Sequence, residues 1–249
     1  METEGVRTDR LGVLLDQFDS VREKAQVRLT GLSDEEYLWE PVPGCWSIRR
    51  RGEATTPRAF GPGDWLLDQG APEIPASEYA EVARQAADGM SVVKIADDWG
   101  VSVERVEQIL GHVGPPEPDE SPVTTIAWRL GHLHFCFAGG WEWAFGERRQ
   151  EPKELVDFTP NAALAVERFW AVMDRWRDSI GTVTEEQLDT IGFSQYPYGS
   201  DPDDPFIAVL WGANLEFIHH MAEIALLRDL WRARFNGHDQ DRSRSGRPR

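Results

Sequence analysis

Apolar residues recur at helical spacing in four long stretches of the chain. Positions three and four apart share one face of a helix, so each stretch can bury an apolar stripe. Thr124 or Thr125 is placed to cap the second stretch. No segment alternates convincingly between apolar and polar residues, as a half-exposed strand would. The pattern predicts an all-α protein built on long helices within residues 7–36, 126–146, 161–183 and 206–235.

The segment between the first two helices has no sustained period in its first part. Residues 38–65 are rich in Gly, Pro and Trp. This composition predicts a long loop, held on the domain by Trp39, Trp46 and Trp65.

Residues 77–113 return to a helical pattern and resemble a helix-turn-helix, with Gly100 at the turn. A Pro-rich linker follows, and residues 236–249 form a polar tail without periodicity that we predict to be disordered. The domain prediction is therefore a four-helix bundle from residues 8–70 and 120–235, interrupted by a helical insertion at residues 77–113.

The charge of the chain narrows the choice of partners. The 249 residues include 43 Asp and Glu against 26 Lys and Arg, a formal net charge of −17. Binding to a phosphate backbone depends on Lys and Arg, so this balance argues against nucleic acid. The insertion is itself acidic, with Glu104 and Glu107 on the second helix of its helix-turn-helix, which favours a protein-contact or lid role over DNA binding.

The cysteine content and the hydropathy of the chain indicate where in the cell the protein is expected. Cys45 and Cys136 are too few for a disulfide scaffold, and no run approaches the roughly 18 apolar residues of a membrane span. The N-terminus has no apolar signal region. We therefore expect a cytoplasmic protein with reduced thiols.

The last long stretch carries an unusual set of polar residues at the edge of its apolar stripe. Glu216 and His220 lie four residues apart, so a carboxylate and an imidazole can converge on one point, as a metal ion requires. His132, in the most apolar stretch of the chain, is the best candidate for a third ligand. His219 with Glu223 forms a second pair of equal spacing and could replace the first.

Simpler interpretations exist for each residue. A His on an apolar helix is often a hydrogen-bonded core residue, and Glu216 with His220 can be a side-chain pair worth about 0.3 to 0.5 kcal/mol. Cys136 lies four residues after His132, so it can be a ligand or a small buried hydrophobe. His134 points about 200° away from His132 and is expected to face solvent or to bond elsewhere.

Three ordered motifs resemble the DinB/YfiT-like superfamily, in its actinobacterial-type branch. They are "LLDQFDSVREKAQVRLTGLSDEEYLWEPVPGCWSIR", "PVTTIAWRLGHLHF" and "NLEFIHHMAEIALLRDLW". The resemblance implies a four-helix bundle in which a His on the second helix and a His-x-x-x-His pair on the last helix hold a divalent metal. By position these ligands fall on His132, Glu216 and His220, so Glu216 replaces one histidine. A carboxylate there leaves Zn, Ni, Mn or Fe as candidates.

The resemblance also implies a chemistry. Characterised relatives include transferases and isomerases that use mycothiol, bacillithiol or glutathione as a thiol co-substrate with a small-molecule substrate. Glu223 and His219 would then support the metal ligands, and Arg129 and Arg228 would pair with a co-substrate carboxylate. The alternative is a non-catalytic interaction or regulatory protein that combines the bundle with the insertion. The sequence leaves a homodimer open.

Overall fold

Helices dominate the structure, a computed structural model that describes residues 9–55, 59–69, 79–111, 123–197 and 200–235. In chain order the helices are α1 (Arg10–Leu29), α2 (Asp34–Leu38), α3 (Tyr79–Ala87), α4 (Val92–Trp99), α5 (Val103–Gly111), α6 (Ile126–Ala144), α7 (Ala162–Ile180) and α8 (Phe206–Phe235). The strands are β1 (Ser47–Arg50) and β2 (Trp65–Asp68), and short 3-10 turns lie at Arg51–Glu53, Pro152–Glu154 and Gln187–Asp189. The all-α prediction is confirmed.

Side-chain caps explain where the long helices begin. Thr125, and not Thr124, caps α6, since its hydroxyl accepts the backbone N–H of Trp128 at 3.1 Å. Asp9 and Asn161 cap α1 and α7 in the same way. Each cap satisfies a backbone donor that the helix leaves unpaired, so the sequence fixes the start of three of the four long helices.

The four long helices share one core. Helix α6 packs against α7 and α8, and α1 packs against α8 and contacts α7, which closes a four-helix bundle. Aromatic rings fill its centre, and burying each removes about 150–250 Å² from water. Among the rings that are almost completely buried are Phe18, Phe169, Trp176, Phe206 and Phe217.

The loop predicted between the first helices contains an antiparallel sheet. Strand β1 pairs with β2, with Ser47 opposite Asp68 and Arg50 opposite Trp65. Both strands contact α6, and Leu66, Leu67 and Asp68 are all buried. The prediction of no strand was wrong because strands of four residues with consecutive buried positions show no alternation.

The inserted segment folds around a small core of its own. Helices α3, α4 and α5 bury Val82, Ile95 and Val106 against one another. Gly100 ends α4 in the left-handed conformation, with φ of 64°, which a glycine adopts at little cost. The turn between α4 and α5 thus has the form that a helix-turn-helix needs. The Pro-rich linker at residues 112–122 and the tail at residues 236–249 lie outside the described residues.

A buried ion pair joins α8 to α2, and its arginine also contacts the end of α1. The Arg228 guanidinium donates to both carboxylate oxygens of Glu36, at 2.7 and 2.9 Å, and to the backbone carbonyls of Arg28 and Thr30. Those carbonyls terminate α1, and Glu36 lies in the first turn of α2. The pair therefore places each charge at the helix end that favours it and fixes the position of α8.

Within the described part of the chain, no helix combines the length and apolar character that crossing a membrane requires.

Candidate metal centre

Three side chains from α6 and α8 converge at the edge of the core. The nearer oxygen of Glu216 lies 3.0 Å from Nε2 of His220 and 3.5 Å from Nε2 of His132. One ligand atom from each of the three residues lies within 4.8 Å of the other two. The two imidazole rings stand perpendicular, with centroids 4.9 Å apart, so both can direct a nitrogen to one point.

Glu223 and Arg129 hold the ring of His220. Nδ1 of His220 lies 2.7 Å from the Glu223 carboxylate, which in turn lies 3.0 Å from Nε of Arg129. A nitrogen that donates its proton to Glu223 cannot also accept one, so the 3.2 Å approach of Arg129 to the same nitrogen is a close contact and not a hydrogen bond. Without a metal, Nε2 of His220 faces the Glu216 carboxylate at 3.0 Å. With a metal bound, a proton kept on Nδ1 would leave Nε2 as the ligand nitrogen, the arrangement common around metal-bound histidines.

Trp128 fixes the ring of His132. The indole stacks on the imidazole with centroids 4.9 Å apart and an interplanar angle of 7°. On the other side of this helix, Gly131 lets α6 approach Leu67 and Phe158 closely, since an added Cβ would lie 3.1 and 3.2 Å from them. The "WRLGH" stretch therefore packs α6 tightly on one face while presenting His132 on another.

The ionisation of His132 and Glu216 indicates that the space between them favours a positive charge. Burial lowers the pKa of His132, but Cys136 and the Glu216 carboxylate outweigh it and raise the pKa to about 9. Hydrogen bonds from His132 and His220 hold the pKa of Glu216 well below its usual range. A proton on His132 therefore occupies, near neutral pH, a place that a divalent ion would take, and metal binding would release it.

The donor set fits a divalent metal. Ligand atoms about 2.1 Å from a tetrahedral ion lie about 3.4 Å from one another, close to the 3.0 and 3.5 Å measured around Glu216. Two imidazole nitrogens and one carboxylate oxygen are the ligands of many catalytic zinc sites, which keep a fourth position open. His132, Glu216 and His220 could thus hold a metal with little movement.

A cavity of about 410 Å³ lies beside this cluster and is lined by Glu216 and by Cys136. Sγ of Cys136 lies 3.5 Å from Nε2 of His132 but outside the group of three converging ligand atoms. The cavity runs between α6 and α8 to the loop that precedes α8. Its other polar walls are Tyr196, Ser200, Asp201 and Asp204, and its aromatic walls are Phe137, Trp176 and Trp211.

Three predicted residues lie away from the cluster. His219 is exposed on the outer side of α8, so it does not support the ligands. Arg228 is buried against Glu36, which removes it from any co-substrate. His134 is half-buried, so the first of its two expected positions, facing solvent, is wrong. Burial, helped by Arg168, lowers its pKa to about 4. Arg129 lies beside the cluster, where it pairs with Glu223, the residue that contacts His220.

Sequence reasoning missed two parts of the site. Trp128 lies four residues before His132, and this helical spacing could have identified the stacked pair. Asp201 and Asp204 belong to a loop whose prolines predicted only a break in helix, and nothing in its sequence places it beside Cys136.

Residues 107–224, somewhat less than half of the 249-residue chain, match the sequence profile of the DinB superfamily. This part of the chain belongs to the DinB superfamily. The matched region contains His132, Glu216, His220 and Glu223, all four residues of the cluster just described. Searches of curated proteins and of solved structures returned no match. The resemblance predicted from the three motifs is confirmed at the level of this superfamily.

The contact between Glu223 and His220 gives a prediction for this DinB-superfamily site. Glu223→Ala removes the acceptor that orients His220, so we expect a 10- to 100-fold loss of metal affinity, on the order reported for outer partners of metal-bound histidines. Glu223→Gln keeps an acceptor oxygen and should lose less. Competition with a chromophoric chelator measures both affinities, and equal affinity in wild type and Glu223→Ala would contradict this role.

Proposed function

We propose that this DinB-superfamily protein is a divalent-metal-dependent enzyme that uses a low-molecular-weight thiol, of the mycothiol type, to attack a small electrophile. The observation that carries the proposal is the convergence of His132, Glu216 and His220, of which Glu216 also lines a cavity of about 410 Å³. That volume is within the usual range for small-molecule sites. A divalent metal held there would lower the pKa of a bound thiol and supply thiolate near neutral pH.

The protein's own residues would prepare the site for such a reaction. Glu223 would hold the proton of His220 on Nδ1. The lone pair of Nε2 would then be available to bind the metal. The stacked Trp128 keeps His132 in one orientation. Glu216 is the most exposed of the three, with 47% of its side chain accessible, so a co-substrate can approach from its side. The new bond would join the thiol sulfur to the electrophilic carbon while the bond from that carbon to its leaving group breaks. The leaving group would depart with the electron pair of that bond, and the thiol proton would pass to solvent.

The charge of the cavity favours one kind of thiol. Three carboxylates, from Asp201, Asp204 and Glu216, line it, and no Lys or Arg does among the described residues. Glutathione and bacillithiol carry carboxylates that would meet this negative field, whereas mycothiol carries none. An uncharged thiol of the mycothiol type therefore suits these walls best.

Thiol consumption by the metal-loaded protein tests the proposal. With mycothiol and 1-chloro-2,4-dinitrobenzene as a general electrophile, we expect conjugate formation above the uncatalysed rate, lost on chelation and restored by added metal. His220→Ala should reduce the rate to background, while His219→Ala, at the adjacent exposed position, should keep it.

The enzymatic proposal would be overturned if conjugate formation were insensitive to the chelator. It would also be overturned if none of Zn, Ni, Mn and Fe gave a rate of conjugate formation above background. The alternative, a non-catalytic interaction or regulatory protein, would then be favoured. The inserted helices α3 to α5 have their own core and expose Val93, which is what an interaction module would present to a partner.

A further inference from the structure

Helix α8 leaves a row of mostly apolar side chains uncovered on its outer face. At about 100° per residue, these positions span an arc of about 100°. Trp211 and Leu226 are each 59% exposed and Leu230 is 46% exposed. Monomeric soluble proteins rarely expose a long contiguous apolar strip without using it. The row, called the α8 row below, comprises Trp211, Leu215, His219, Ala222, Leu226 and Leu230.

The α8 row is symmetric about its own midpoint. Trp211 and Leu230 lie equally far from the point between residues 220 and 221, and so do Leu215 and Leu226. His219 and Ala222 are the innermost equivalent positions. A row with this symmetry matches a second copy of itself when the two helices run antiparallel, because each bulky residue then meets an apolar residue of the other helix. A two-fold axis requires such self-complementarity.

The charges at the two ends of α8 select the same orientation. The last turn of the helix carries Arg232 and Arg234. The loop just before the helix carries Asp201, Asp203 and Asp204. An antiparallel pair places the basic end of one helix beside the acidic loop of the other, whereas a parallel pair would place like charges together.

We propose that two copies of the chain form a homodimer in which the α8 rows pair antiparallel about a two-fold axis near residues 220 and 221. Trp211 then packs against Leu230 of the partner subunit, and Leu226 against the partner subunit's Leu215. Ala222, the smallest residue of the row, lies near the crossing point and lets the helices approach closely. Trp211 also lines the 410 Å³ cavity, so the partner would cover the outer side of that wall.

The mass of the protein in solution tests the dimer. Analytical ultracentrifugation of the full chain should give twice the 28.2 kDa of one copy. Leu226→Glu places a carboxylate in both halves of the interface, and we expect the dissociation constant to rise by more than about 100-fold. Val93→Glu is the matched control, since Val93 is 63% exposed but lies on α4. It should leave the dimer intact.

A wild type that stays monomeric at 100 µM would overturn the proposal, and so would a dimer that Leu226→Glu leaves unchanged. Unaltered circular dichroism and metal binding in Leu226→Glu would show that the fold and the candidate metal centre, on another face of α8, survive. The dimer can thus fail without any consequence for the proposed enzymatic function.

Disulfide cross-linking tests the orientation. In the antiparallel pair, two copies of residue 222 lie about 4.5 Å apart along the helix axis, but two copies of residue 230 lie about 28 Å apart. Ala222→Cys should therefore cross-link on mild oxidation and Leu230→Cys should not, with wild type giving the background from Cys45 and Cys136. Cross-linking of Leu230→Cys as efficient as that of Ala222→Cys would indicate parallel helices and overturn the proposed arrangement.

Discussion

His132→Ala and His220→Ala should each abolish stable metal binding. Protein purified from metal-supplemented medium is expected to carry about one divalent ion per chain, and each variant should carry almost none. The physical reason is the small number of candidate ligands: in the part of the chain that the structure describes, three side chains converge, so losing one leaves two. Loss of an outer partner alone lowers affinity by about 10- to 100-fold, and loss of a ligand should exceed this.

The chain supplies a matched control for each variant. His134 lies on the same helix as His132 and is half-buried, but it is not one of the three converging residues. Burial lowers its pKa to about 4, so it is a neutral imidazole at pH 7. His219 is adjacent to His220 but exposed. His134→Ala and His219→Ala should therefore keep wild-type stoichiometry, measured by mass spectrometry of the bound metal.

Competition titrations extend the test to affinity. If His134→Ala lost metal as fully as His132→Ala, a general effect on α6 would explain both results, and the three-ligand site would be wrong. A His132→Ala variant that retained one ion per chain would have the same consequence. A metal site distributed over other carboxylates of this acidic chain would produce that second outcome.

Helical periodicity made much of this site accessible from the sequence. Glu216 and His220 are on one helix, where a spacing of four fixes their common face, and Thr125 sets the start of the helix that carries His132. Short-range rules of this kind depend only on local backbone geometry. They identified the long helices and the Glu216–His220 spacing, but they left His219 open as an alternative to His220. The resemblance to the superfamily then selected the three residues that the structure brings together.

Contacts between distant segments were not accessible in the same way. Arg228 was expected to pair with a carboxylate of the co-substrate. It instead pairs with Glu36, 192 residues away, while Asp229 pairs with Arg28 on α1. Helical phase says which way Arg228 points but not which residue of α1 or α2 it meets. The short strands β1 and β2 were not predicted for a related reason, because they are buried by contact with α6, which is distant in sequence.

The pairing of Arg228 with Glu36 leads to the largest expected effect on stability. Glu36→Ala leaves the Arg228 guanidinium buried, with 2% of its side chain exposed, and without its counter-charge. Removal of one partner of a buried pair costs about 3–5 kcal/mol. For a chain of this size, that loss lowers the melting temperature on the order of 10 °C.

Asp229→Ala is the control for this variant. It removes the partner of Arg28 in an exposed pair on the same two helices, where 42% and 52% of the side chains are accessible. Solvent screens such a pair, so the expected cost is about 0–1 kcal/mol. Urea unfolding followed by circular dichroism gives both free energies. A loss for Glu36→Ala no larger than that for Asp229→Ala would mean that water reaches Arg228 and that the pair does not hold α8.

The double variant Glu36→Met/Arg228→Met separates the charge from the contacts. Two apolar side chains of similar length leave no buried charge, so most of the loss in Glu36→Ala should be recovered. Recovery should be incomplete, because Arg228 also donates to the carbonyls of Arg28 and Thr30 at the end of α1. A double variant as unstable as Glu36→Ala would show that these carbonyl contacts, and not the pairing of charges, fix the helix that carries Glu216 and His220.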